Sequence, residues 1–269
     1  MIPAANLLLH AATKLIGNAL SPAHRLYHRL YPSKRFQLPE HMPAAFDGRA
    51  LAIEKNVWQR NYTGRVTSDF AINFHVNRLF SRDFNHHFMT DQQADKFIND
   101  NFPGRISDAY NSLKNGAARA DIWRLLVLHK YGGIYLDIDA TFSAPPSWFL
   151  GHDEQEVLIT DRSGKITNYF LASRAGNEKL MALVEKIVTN IEERAFDRVF
   201  ELTGPAVIRE LSDTLAFKPR LFRGIASHGQ MTLKQHQYID QPKGHWSQAK
   251  TVDDIVDVNF VPQKPGAVY

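Results

Sequence analysis

Two aspartates, Asp137 and Asp139, close a short apolar run, Ile134-Tyr135-Leu136. Carboxylates two residues apart at a strand end can converge on one divalent cation and on groups beside it. Oxygen ligands favour hard cations such as Mg²⁺ or Mn²⁺. A bare Asp-x-Asp is more simply a solvated acidic turn. Here the apolar run anchors the pair to a core strand. Upstream, Asp121 and Arg124 lie one helical turn apart, so both can face one site. The simpler reading of that pair is a helix salt bridge, worth only ~0.3–0.5 kcal/mol.

The elements that must position these groups follow from the pattern. Ile122, Leu125, Leu126 and Leu128 recur at helical spacing between Asp121 and Tyr131. Gly132 and Gly133 stop that helix, since glycine accepts left-handed dihedrals. Residues 134–136 then form a buried strand, and Pro145-Pro146 closes the loop after the acidic pair. Further helices are expected over 68–83, 91–102, 180–195 and 206–215, and strands over 53–59, 84–89, 156–160 and 168–173. Thr203 can cap the helix of 206–215, with Pro205 in its first turn, and no chemistry is assigned to it. Residues 4–31 read as helical with a break near Ser21-Pro22, and residues 32–50, with Pro32, Pro39 and Pro43, read as a linker. The adjacent His86 and His87 would point to opposite faces of a strand and are read as structural.

The chain has 269 residues, 44% of them hydrophobic, enough for a sizeable core. It has no cysteine, which excludes disulfides and thiolate metal sites and fits a reducing, cytoplasmic compartment. A net charge of +4 is too mild to imply a nucleic-acid partner. The charge is uneven, however: Lys14, Arg25, Arg29, Lys34 and Arg35 precede the first acidic residue, Glu40. Residues 1–45 therefore read as a basic amphipathic helical segment and linker, and 46–269 as the main domain. The helical segment suits an anionic membrane surface, at the inner face of the cytoplasmic membrane. Packing on the main domain or on a partner subunit is the alternative.

The stretch from Gly116 to Pro145 resembles the glycosyltransferase family with a DXD sugar-binding region. That family includes the yeast initiating α-1,6-mannosyltransferase, bacterial capsule and lipopolysaccharide enzymes and, more distantly, the clostridial glucosylating toxins. Its pattern, Ala/Ser-Asp-x-x-Arg, an apolar helix and Gly-Gly-x-Tyr-x-Asp-x-Asp, is met in register by Ala120-Asp121, Arg124, Gly132-Gly133, Tyr135, Asp137 and Asp139. The resemblance implies an α/β fold of the GT-A type: a Rossmann-like nucleotide-binding half with a mixed central sheet and an acceptor half, here with an N-terminal helical extension. It implies a metal-dependent, retaining transfer of a sugar from a nucleotide-sugar donor. A UDP-sugar is favoured over a GDP-sugar. The acceptor would be a glycan or lipid-linked glycan of the bacterial surface (capsule, O-antigen or lipopolysaccharide), and the cofactor Mn²⁺ or Mg²⁺.

Under this resemblance Asp139 holds the cation, and Asp137 faces the ribose or donor sugar and touches the metal indirectly. Asp121 and Arg124 bind donor-sugar hydroxyls, Tyr135 lines the donor pocket, and the Asn168 amide is a further sugar contact. Residues 53–59 resemble the family's first strand, which meets the nucleotide, so Trp58 is a candidate to stack on the base. A core tryptophan is the alternative. His245, in Gly244-His245-Trp246-Ser247, is the candidate third metal ligand; His236, Ser247 or no protein ligand are the alternatives.

Two readings compete. Residues 134–141 also fit the Asp-x-Asp-x-Thr signature of haloacid-dehalogenase-type phosphatases, with Asp137 as nucleophile and Asp139 as general acid/base. That reading leaves Asp121, Arg124 and Gly132-Gly133 unexplained. Its lysine and acidic pair would have to come from Lys250 and Asp253-Asp254, which crowd together. The other is a non-catalytic sugar-nucleotide- or lipid-binding protein, which the intact acidic pair disfavours.

Overall fold

A computed structural model describes residues 4–241 and 246–262. Helix α1 (Ala4–Leu30) is followed by β1 (Phe36–Gln37), β2 (His41–Met42), β3 (Asn56–Asn61), β4 (Arg65–Val66) and α2 (Ser68–Phe80). Then β5 (Asn85–Thr90), α3 (Asp91–Asn101) and α4 (Arg105–Ser112) lead to α5 (Gly116–Tyr131) and β6 (Gly133–Leu136). After β7 (Ala140–Phe142) and α6 (Pro146–Phe149) come β8 (Glu156–Thr160), β9 (Ile166–Ser173), α7 (Glu178–Glu192), α8 (Val199–Leu202) and α9 (Pro205–Leu211). Last are β10 (Arg220–Leu221), β11 (Ala226–His228) and α10 (Val252–Ile255), with 3₁₀ turns at Lys234–His236 and Trp246–Gln248.

Seven strands form one mixed sheet in the order β10-β8-β9-β6-β3-β5-β2. Its centre, β5-β3-β6, is parallel, so helices must cross over between the strands: α2 from β3 to β5, and α3 to α5 from β5 to β6. Strand β9 runs antiparallel to both β6 and β8. Successive side chains of a strand point to opposite faces. Ile134 and Leu136 enter the core under β7 and α6, while Tyr135 enters the core beneath α5 and α7. A third cluster, with Phe70, Phe74 and Phe88, seats α2.

The central helix is longer than its apolar pattern alone suggests. It starts where Asn115 Oδ1 accepts the backbone N–H groups of Ala117 and Ala118, at 2.9 and 3.3 Å. Every residue from Asp121 to Leu128 is buried, because α7 covers the side that a surface helix would give to water. Gly132 (φ 62°) and Gly133 (φ 110°) end it. A Cβ on Gly133 would stand 2.4 Å from the Asn56 carbonyl oxygen of β3, so glycine is also required by close approach.

Two expectations are corrected here. Residues 32–50 are not all linker: β1 pairs with β4, and β2 pairs with β5 as the edge strand of the main sheet. Helix α1 runs unbroken through Pro22. That residue is exposed, where water can take the carbonyl hydrogen bond that its ring removes.

Helix α1 lies against the domain by its polar side. Asn6, Thr13, Gly17, His24 and His28 are its buried residues. Asn6 Nδ2 donates to the Gly224 carbonyl at 3.2 Å, and His10 Nδ1 lies 2.9 Å from Ser143 Oγ. Its outer side is apolar: Leu8, Leu15, Leu26 and Leu30 are 58–72% exposed.

Candidate active site

Strand β6 ends at Leu136, and the chain folds back at once. Asp137 N–H donates to the Tyr169 carbonyl of β9, and Ala140 N–H donates to the Asp137 carbonyl, both at 2.9 Å. Two buried asparagines of α2 hold the turn from below. Asn73 Nδ2 donates to the carbonyls of Ile138 and Ala140, and its Oδ1 accepts from Thr141 Oγ1 at 2.6 Å. Asn77 Nδ2 also donates to the Ala140 carbonyl, and its Oδ1 accepts from Phe142 N–H at 2.8 Å. From the far side, Gly229 N–H donates to the Asp139 carbonyl at 2.9 Å.

This turn gathers Asp137, Asp139 and His228, whose ligand atoms all lie within 4.8 Å of one another. His228 comes from β11, which pairs antiparallel with β7 and sets His228 opposite Ala140. Its Nε2 is 3.0 Å from Asp139 Oδ2. Desolvation opposes a charge on this imidazole, but the bond to Asp139 and the two carboxylates raise its pKa to about 9. Asp137 shifts upward too: burial raises it, Arg124 opposes, and the Asp139 charge adds to the rise. Asp139 Oδ1 is buried without a hydrogen-bond partner. A buried carboxylate oxygen left unpaired beside a second carboxylate and an imidazole fits a divalent cation. Two oxygens and one nitrogen suit Mn²⁺ or Mg²⁺.

Beside this group lies a second network. Arg124 Nη2 is 3.0 Å from Asp121 Oδ1, its Nη1 is 3.6 Å from Asp137 Oδ1, and it also donates to the Asn168 carbonyl. Its guanidinium carbon stands 4.4 Å from the Tyr135 ring centroid. Tyr135 and Asp137 share one face of the strand, and the phenol donates to that carboxylate. Asp121 Oδ1 accepts from Asn168 Nδ2 at 2.8 Å, and Oδ2 from Thr203 Oγ1 at 2.9 Å. Burial lifts the Asp121 pKa to about 7 against the opposing effect of Arg124 and of the Thr203 hydroxyl.

A cavity of about 1180 Å³ takes its walls from Asp121, Arg124, Tyr135, Asp137, Asp139 and Asn168. Six of the residues singled out in the sequence are thus brought together, and among the described ones Trp58 is not. Trp58 is buried away from this cavity: its indole stacks on His87 at 4.1 Å between centroids, and its Nε1 donates to the Gly132 carbonyl at 2.9 Å. The core alternative holds for it. His245 lies outside the described residues. His236, named as its alternative, pairs with Asp69 instead, at 3.0 Å.

Thr203 is a further correction. The N-cap of α9 is Gly204, and the Thr203 hydroxyl is spent on Asp121. The sequence reading also missed His228 and Arg60 as residues of this cavity. Arg60 ends the buried part of β3; Asp91 Oδ1 accepts from its Nε at 2.9 Å, while Nη1 and Nη2 are buried without partners. A charged residue in a strand of buried neighbours was the available signal.

Residues 69–163 match the family described as glycosyltransferase sugar-binding region containing DXD motif. The inositol phosphoceramide mannosyltransferase 3 of Schizosaccharomyces pombe is 31% identical over 118 residues, covering 44% of this chain and 31% of the relative. The initiation-specific alpha-1,6-mannosyltransferase of Candida albicans is 24% identical over 149 residues, covering 50% and 38%. The chain thus spans about a third of the length of the curated relatives it matches. The solved structure of PaToxG Glycosyltransferase superposes with a TM-score of 0.51 at 17% identity, over 78% of this chain and 79% of that one. That likeness concerns the fold, an α/β arrangement of the GT-A type. Residues 69–163 are thus similar to the DXD-containing sugar-binding region of the glycosyltransferases, and the resemblance read from Ala120 to Asp139 is borne out.

Proposed function

We propose that this chain is a metal-dependent glycosyltransferase that moves a sugar from a nucleotide-sugar donor to a glycan acceptor. The observation that carries the reading is the convergence of Asp137, Asp139 and His228, with an orphaned Asp139 oxygen, in one cavity with the Asp121–Arg124–Asn168 network. Asp139, His228 and Asp137 would hold the cation. When bound there, a divalent ion supplies Lewis-acid stabilisation of the diphosphate leaving group. Asp121, held by Asn168 and Thr203, presents its carboxylate to donor-sugar hydroxyls. Arg124 offers a planar fork that lysine cannot reproduce. The unpartnered nitrogens of Arg60 draw an anionic donor into the cleft. The names of both curated relatives make mannosyl a group to test beside the UDP-sugars that the resemblance favours. Transfer with retention onto a surface glycan completes the proposal. The test is nucleoside diphosphate release from a panel of GDP- and UDP-sugars with Mn²⁺. Release from at least one donor, lost in Asp139→Asn, is expected; a panel with neither turnover nor binding would refute the reading.

The same proposal places the enzyme at an anionic membrane surface. What supports this is the outward apolar side of α1, with Lys14, Arg25 and Arg29 exposed on the same helix. No described helix is long and apolar enough to cross a membrane. Deleting α1 would tear out Asn6 and His10, so surface variants make the cleaner test. Leu8→Glu, Leu15→Glu and Leu26→Glu combined should abolish sedimentation with phosphatidylglycerol vesicles and keep the fold. Undiminished vesicle binding by that variant would overturn the membrane assignment.

A further inference from the structure

We infer that His28, Asp69 and His236 form a second divalent-metal site, of the zinc type, which clamps α1 and the segment around His236 to the start of α2. Three distant stretches of chain deliver these side chains, and all three are buried. One ring nitrogen from each histidine and one carboxylate oxygen lie within 4.8 Å of one another. Zinc ligands at about 2.0–2.1 Å in a tetrahedron stand roughly 3.3 Å apart. The His236 Nδ1 to Asp69 Oδ1 distance, 3.0 Å, is already close to that edge.

The donor chemistry separates this cluster from the acidic turn. It has two imidazoles and one carboxylate, and imidazole favours zinc over Mg²⁺ or Mn²⁺. Two buried ring nitrogens in this region lack any partner: His28 Nδ1 and His24 Nε2. His24 precedes His28 by one helical turn on the same buried face, the i, i+4 spacing of zinc-binding histidine pairs. It is the candidate for the fourth position.

The surrounding bonds orient the ligands, as outer partners do in metal centres. Thr67 Oγ1 donates to Asp69 Oδ1 at 2.6 Å, and Leu233 N–H donates to Asp69 Oδ2 at 2.7 Å. Ser68 Oγ lies 2.8 Å from His24 Nδ1. Ser68 N–H donates to His28 Nε2 at 3.0 Å, a bond that this ring gives up when it takes an ion. An ion here would fix more than α1. Gln237 and Tyr238, directly after His236, help to wall the cavity that holds the acidic turn. The site therefore ties the outward helix and the cavity wall to one point.

The test measures metal content, not turnover, so it stands apart from the proposed transferase activity. Tag-free full chain is purified, loaded with zinc, desalted and analysed by mass spectrometry of the elements. Wild type and Asp139→Asn should each retain about one tightly held zinc per chain, and His28→Gln should lose it. Cobalt loaded into Asp139→Asn should show the intense visible bands of a tetrahedral site. No retained zinc in Asp139→Asn, or weak octahedral cobalt bands, would overturn the inference. So would zinc kept by folded His28→Gln. Because the Asp139→Asn result decides by itself, failure of His28→Gln to fold leaves the proposal open to refutation.

Discussion

The acidic turn hangs on Asn73 and Asn77, and the wiring makes an unusual energetic prediction. Asn73→Ala removes three bonds. The Ile138 carbonyl and the Thr141 hydroxyl lose their buried partner, while the Ala140 carbonyl keeps Asn77. Each orphaned buried group costs about 1–3 kcal/mol, so the variant should lose about 2–6 kcal/mol. Asn77→Ala orphans Phe142 N–H, while the Ala140 carbonyl keeps Asn73, so about 1–3 kcal/mol is expected. In the double variant the Ala140 carbonyl loses both donors. The pair should therefore cost more than the sum of the singles, by about another 1–3 kcal/mol. Urea unfolding at constant m measures all three. Melting temperatures should fall by about 2–4 °C per kcal/mol. Equal single costs that simply add would show that the turn does not depend on the shared carbonyl.

Other variants probe the rest of the site and the core. Thr203→Val keeps the volume but takes a hydrogen bond from a buried carboxylate; it should lower unfolding free energy by about 1.5–3 kcal/mol, read by urea titration. Arg124→Lys should weaken the full sugar-nucleotide about ten- to a hundred-fold by calorimetry and barely change the bare nucleoside diphosphate. Burial pushes His86 down to about 3 from an ordinary value near 6.5, so the folded state resists a proton that the unfolded chain accepts. Stability should be full above pH 6.5 and fall by about 2 kcal/mol on going to pH 5. A folded His86→Gln variant should lose that part of the slope, and an unchanged slope would contradict the assignment.

What the sequence showed was local. Asp121 and Arg124 share a helical turn, Tyr135 lies in β6 and Asp137 and Asp139 follow it, so spacing paired them locally, and the family resemblance put the two groups at one site. His228 stood in plain view but had no register, since only the pairing of β11 with β7 sets it beside Asp139. Asn73 and Asn77 look like ordinary polar positions of an amphipathic helix until the turn is laid over them. Trp58 failed for a strand reason: the alternation that sends Val57 to one core sends the indole to the other, against His87. Thr203 satisfied a local capping pattern, and a buried carboxylate claimed its hydroxyl instead. The leucines of α1 were legible as an apolar side. That the helix would dock by its asparagine, threonine and histidines was not, because those partners lie on α2 and in the segments near residues 143, 224 and 230.

The most direct test of the central claim is calorimetry of nucleoside diphosphate and of the cognate sugar-nucleotide, with Mn²⁺ and with excess chelator. The account predicts diphosphate binding that requires the cation and is lost in Asp139→Asn. It also predicts that Asp121→Asn loses affinity for the full donor by about ten- to a hundred-fold and keeps that for the diphosphate. Diphosphate binding that survives chelation, or falls as far in Asp121→Asn as in Asp139→Asn, would contradict the division of this site into cation-holding and sugar-holding residues.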